Sequence, residues 1–239
     1  MKWIYSIALL LTLIITGLFI YIESLELKDI GNSALALFST FLGATLAFRL
    51  DEEKTKREKS QKQREALNRA LFILLRKYNA LFQIARDFDK FPEEFNAAFN
   101  MPAWNPPRYE DLTHNFTDLE FLIEASEPNT LLKLTVEQER FHAAIDSVRL
   151  RNEFYVGEVQ KALAALEMNR KSFTPKEAEA LLGDRIYGGA VNSVNNAKQH
   201  VYASCQSLTE MTEEVRAVAK KLFPGHKFIA YEVPHEPAA

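Results

Sequence analysis

One stretch constrains this chain more than any other: the run from Ile30 to Phe48 carries no charge and is bounded by Asp29 and Arg49. A helix of about 20 apolar residues, rising ~1.5 Å each, crosses the ~30 Å hydrocarbon core of a bilayer. The run is therefore expected to be a transmembrane helix. A second uncharged run, Trp3 to Ile22, precedes it. That run is longer than the apolar region of a secretory signal and ends Phe-Ile-Tyr-Ile-Glu, without the small residues of a cleavage site. It is expected to be retained as the partner span. The connector carries Glu23, Glu26 and Asp29, whereas Arg49, Lys54, Lys56, Arg57 and Lys59 follow the second span. Basic residues stay on the cytoplasmic side, so both termini are expected there.

The second span is rich in small residues. Ser39, Gly43 and Ala47 recur every four residues, and Ala36, Thr40 and Ala44 make a neighbouring row. Small residues let helix backbones approach in lipid, where no hydrophobic drive pulls helices together. These rows serve either packing against the first span or self-association, and a homo-oligomer is expected. Beyond Arg49 the residues are nearly all polar, but Glu52–Lys56, Glu53–Arg57 and Glu58–Lys62 are acid-then-base pairs four apart. That spacing supports a solvated helix, and its cations lie within reach of anionic headgroups.

From Leu67 the pattern changes to an apolar seam of alternating four and three: Leu67, Leu71, Leu74, Tyr78, Leu81, Ala85 and Phe88. Such spacing marks a helix that packs on others. Pro102, Trp104, Pro106 and Pro107 make the next stretch a loop, which Trp104 is expected to staple down. Thr117 to Glu120 and Thr135 to Gln138 fit capping boxes. The second opens a long helix with a seam of Phe141, Ile145, Val148, Tyr155, Val159, Ala162 and Leu166, in which Asn152 is a polar interruption able to fix register. Thr174-Pro175-Lys-Glu177 starts another helix and Gly183 stops it. The last long helix carries the seam Tyr187, Ala190, Val194, Ala197, Val201, Ser204, Leu208, Met211, Val215, Val218 and Leu222.

The expected fold is all-α. A two-helix transmembrane hairpin (1–48, with spans about 3–22 and 30–48) leads through a charged juxtamembrane stalk (49–66) to an elongated antiparallel cytoplasmic bundle of three long helices plus short ones (67–223). An extended tail follows (224–239). A net charge of −3 leaves no footprint for nucleic acid. With one cysteine, Cys205, an intrachain disulfide is excluded. Phosphate-binding and nucleophile-elbow motifs are absent from the sequence, so neither a cofactor nor a catalytic residue is expected. Glu139-Arg-Phe-His142 is the one metal candidate on a helix. A carboxylate-bridged bundle site needs a second such unit and two more carboxylates, and the only other match, Glu232 to His235, falls in the tail. Asn192, Asn195 and Asn196 make a polar, uncharged face on the last helix, suited with Asn152 to partner contact.

A short membrane hairpin carrying a helical cytoplasmic body resembles the two-transmembrane effectors of bacterial antiphage systems, including those found beside retrons. The resemblance spans the layout of the whole chain and rests on no motif. It implies an inner-membrane protein that damages the bilayer, with the row Ser39, Gly43 and Ala47 mediating assembly in the membrane and the helical body, expected to bind a cytoplasmic protein or nucleoprotein, holding it in check. The alternative is a structural or accessory subunit whose spans only anchor it, and a more remote one is an enzyme with a metal held in its helical bundle.

Overall fold

The computed structural model describes residues 14–18, 20–21, 28–107, 109–168 and 173–230. Regular structure among them is entirely helical. Most of the first expected span, the connector up to residue 27 and residues 231–239, with Glu232 and His235, lie outside them. The chain divides into two compact units, residues 1–61 and 62–239. Helix α1, Lys28–Asp89, contributes residues to both.

In the first unit, residues 14–18, 20 and 21 are helical, and α1 begins at Lys28. Its apolar side chains face outward: Leu37, Phe41 and Phe48 are 74%, 69% and 77% exposed. Further along, Lys56 and Glu52 pair at 2.5 Å and Arg57 and Glu53 at 3.3 Å, as their spacing predicts. Glu58 instead takes Lys54, at 3.9 Å.

The second unit is built on the α1 seam, and Leu67, Leu71, Leu74, Tyr78, Leu81, Ala85 and Phe88 are all buried. Beside them runs a second buried row at the same spacing: Ala70, Ile73, Lys77, Ala80 and Ile84. Helix α2, Glu94–Phe99, leads into the Pro-rich loop, where Trp104 meets the Phe88 ring edge-on with centroids 5.8 Å apart. Two single turns follow, α3 (Phe116–Leu119) and α4 (Phe121–Glu124). The expected cap at Thr117 does not form, because the turn starts two residues earlier than that cap requires, with Asn115 at its N-cap.

Helix α5, Pro128–Phe154, likewise starts earlier than expected, with proline in its first turn. Proline needs no hydrogen-bond acceptor at that position and presets the helical φ. Thr135 is thereby left inside the helix, where its hydroxyl donates to the Leu131 carbonyl at 3.2 Å. A π-helical turn, Tyr155–Val159, separates α5 from α6, Gln160–Ala165. The wider turn lets Tyr155, Val159 and Leu163, each four apart, all face the core. The expected seam shifts in consequence, and Leu166 is turned out to solvent, 42% exposed.

Helix α7, Pro175–Leu222, opens on the expected capping box: the Glu177 backbone N–H donates to Thr174 Oγ1 at 3.3 Å, and the Thr174 N–H to Glu177 Oε2 at 2.8 Å. At Gly183 the backbone leaves the helix with φ 68° and ψ 167°, a region that only glycine adopts without strain. Beyond it, Ala190, Ala197 and Ser204 bring α7 close to α5. A Cβ on Gly189 would stand 2.6 Å from Phe154 Cζ.

Helix directions depart from the expected alternation. Helices α5 and α7 are antiparallel, since Glu137 meets Ser207 and Glu158 meets Arg185. Helices α1 and α5, however, run the same way: Lys77 meets Gln138, while Phe88 meets Trp104, whose carbonyl accepts from Asn152. The return between them runs back along α1 through non-helical residues and then α3, placing Asp111 on Arg76 and Asp118 on Arg69. After α7, Phe228 and Ile229 pack on the core, and the Ile229 N–H donates to Asn68 Oδ1 at 3.1 Å.

Candidate functional site

Among the described residues, one helix is long and apolar enough to cross a membrane, from Ala34 in α1 onward near the N-terminus. None of its apolar window is buried, whereas the core helix of a soluble protein passing the same test would be mostly covered. Ala36, Ser39, Thr40, Gly43, Ala44 and Ala47 are exposed along it, with open space where a Gly43 Cβ would stand. Both threonine hydroxyls are satisfied within the helix: Thr40 donates to the Ala36 carbonyl and Thr45 to the Phe41 carbonyl, each at 2.8 Å. For those two threonines the arrangement suits a medium without water, where a polar group must find its partner inside the chain. Arg49, Lys54, Lys56, Arg57 and Lys59 are exposed on the charged turns that follow.

In the second unit a groove of about 970 Å³ runs between the Pro-rich loop and the π-turn. Trp104, Asn105 and Pro106 form one wall, Glu153, Val156 and Gly157 the other, with Arg149 and Asn152 between. Asn152 meets the Pro-rich loop and its own neighbour Arg151. It is buried, donates its amide to the Trp104 carbonyl and accepts from Arg151 Nη1 at 3.0 Å, tying loop to helix.

Arg151 is the residue that sequence reasoning missed here. It is 1% exposed, and its guanidinium donates to three backbone carbonyls, Met101 at 2.8 Å, Ala97 at 3.1 Å and Pro102 at 3.3 Å, while lying 4.7 Å over the Tyr155 ring. Burial lowers its pKa to about 10, which still leaves a full positive charge at neutral pH. A rigid fork of donors suits a cluster of carbonyls that a lysine could not satisfy together.

A second buried polar cluster joins α1 to α5. Lys77 is fully buried, donates to Gln138 Oε1 at 2.6 Å and lies 5.6 Å from the centre of the Phe141 ring. Burial pulls its pKa down to about 7, although Glu137 partly offsets this. Because the Gln138 oxygen is taken by Lys77, its amide nitrogen is what faces His142 Nε2, at 2.6 Å. That contact makes the His142 nitrogen an acceptor. The Gln138 oxygen also accepts the His114 backbone N–H at 3.3 Å. Glu137, in turn, holds Arg140 and Ser207, both at 2.7 Å.

The metal candidates are not assembled. Glu139 is exposed, and His142 faces Gln138. Among the described residues, no three His, Cys, Asp or Glu side chains converge. Of the asparagine face, Asn195 donates to Glu94 and so pins α2 to α7, while Asn192 and Asn196 are exposed. Tyr202 and Lys198 extend that pinning through Asp89 and the Phe91 carbonyl. No family model, curated protein or solved structure matches the chain.

Proposed function

We propose that this chain is a membrane-anchored, non-enzymatic effector or sensor of the bacterial inner membrane. Spans 3–22 and 30–48 form a hairpin, and the helical body binds a cytoplasmic protein or nucleoprotein that sets the state of the spans. The observation that carries this reading is that a single helix, α1, supplies both an apolar stretch with no buried residue and the fully buried seam of the second unit. A change of packing around that seam acts on the residues of the span through their shared backbone. The layout suits an antiphage effector that damages the membrane when its partner signals infection.

Induction in a bacterial host, read with a potential-sensitive dye, tests it. The full chain is expected to depolarise cells, and Gly43→Leu, which fills the small-residue row, is expected to abolish the effect. A well-expressed, membrane-inserted Gly43→Leu variant that depolarises as strongly as the parent would remove this role for the span. The groove of about 970 Å³ favours a second reading, an accessory scaffold whose body docks a partner. A scaffold keeps its function when both spans are exchanged for an unrelated hairpin, whereas an effector loses it.

A further inference from the structure

Residues 109–118 return from the Pro-rich loop to α3 without helix until Phe116, covering α1 and α5. On the surface they are held by Arg76–Asp111 at 2.7 Å and Arg69–Asp118 at 3.0 Å, both well exposed. Pairs of that kind contribute at most about 1 kcal/mol each. Inside, the holds are Leu112, the Tyr109 ring edge-on to Phe141 at 5.8 Å, and His114. Tyr109 has φ 54°, in the left-handed region that bulky side chains rarely enter. The segment is thus strained where it begins.

His114 is 6% exposed, and both of its ring nitrogens are buried without a hydrogen-bond partner. A buried polar group in that state favours release into water. Around it, α1 offers the Lys77 ammonium. Helix α5 offers Gln138, whose oxygen is occupied, with His142 beyond it and Glu137 turned to Arg140 and Ser207. On its own segment, Asp111 and Asp118 are held by Arg76 and Arg69. A second cation here would find no hydrogen-bonded carboxylate.

We propose that residues 109–118 are a proton-released strap: protonation of His114 lifts the segment from α1 and α5 and uncovers Lys77 and Phe141. Burial, with Lys77 adding to it, lowers the His114 pKa to about 3, and burial holds Lys77 at about 7. Both groups therefore bind protons more tightly once the strap is open. The strap is most secure at alkaline pH and loosens as pH falls.

Hydrogen–deuterium exchange of peptides covering 109–118, in the full chain in detergent micelles and corrected for intrinsic rates, reads this opening. Between pH 7.5 and 5.5, solution pKa values of 6.5 and 10.5 for the released groups give about tenfold more opening from His114 and about fourfold from Lys77, roughly fortyfold together. His114→Phe should leave only about the fourfold part, and His114→Gln serves if the phenylalanine variant does not fold. An unchanged pH dependence in the His114 variants, or a flat profile in the parent chain, overturns the proposal. So does a dependence lost in His142→Leu but kept in both His114 variants. The readout is independent of membrane activity, so it stands or falls apart from the proposed function.

Discussion

Replacing Lys77 by methionine should stabilise the protein at neutral and acidic pH. The side chain is fully buried and its pKa falls from 10.5 to about 7, chiefly through burial. That fall corresponds to about 5 kcal/mol working against the charged form. Methionine keeps most of the volume. It forfeits the bond to Gln138 Oε1, which still accepts the His114 N–H, and the contact with the Phe141 ring, together about 2 kcal/mol. A net gain of about 3 kcal/mol remains at pH 6. Because the folded-state pKa is lowered, the penalty is complete below about 7 and fades as pH rises towards 10.5. At pH 9 it has dropped to about 2 kcal/mol, close to what the lost contacts were worth. Thermal melts of the full chain in micelles, followed by circular dichroism, should show Lys77→Met raising Tm by about 6–12 °C at pH 6 and by under about 3 °C at pH 9. A lower Tm at pH 6, or equal shifts at both pH values, would mean that the ammonium's contacts outweigh its desolvation.

Arg151→Met leaves the Ala97, Met101 and Pro102 carbonyls without their shared donor; a loss of about 3–5 kcal/mol is expected, read as a fall in Tm that Arg151→Lys does not rescue. Gly183→Ala forces a side chain into φ 68°, ψ 167°, and should cost about 1–3 kcal/mol by the same melts, whereas alanine at the half-buried Gly188, where a Cβ meets open space, should be neutral or stabilising.

Features written in local backbone chemistry were legible in the sequence. The seam from Leu67 to Phe88, the cap at Thr174 and the stop at Gly183 each depend on residues within a few positions of one another. Thr135 misled because an equally good start, Pro128, lies two turns upstream, and a threonine inside a helix satisfies its hydroxyl on the preceding turn. The buried cations were overlooked because Lys and Arg usually mark a solvated face, yet their spacing gave them away. Lys77 continues the row Ala70, Ile73, Ala80, Ile84, and Arg151 the row Phe141, Ala144, Val148, Tyr155. A charge at an apolar position is the signal of a buried polar junction. What the periodicity did not hold was direction: a seam reads the same whichever way its partner runs. Only the return segment, with Asp111 and Asp118 seated on Arg76 and Arg69, makes α1 and α5 parallel.

The order in which the packing partners occur along the chain also sets a timetable for biosynthesis. The α1 seam leaves the ribosome first, but Gln138 and Phe141 of α5, and then Lys198 and Tyr202 of α7, follow only after long intervals. At a translation rate of about 5–20 residues per second, the residues between Phe88 and Tyr202 take roughly 6–23 s to make. Helices α5 and α7 can close on each other as soon as both exist. The Leu67–Phe88 row gains Trp104 early, on Phe88, but until α5 and then α7 emerge most of its apolar surface stays open to water.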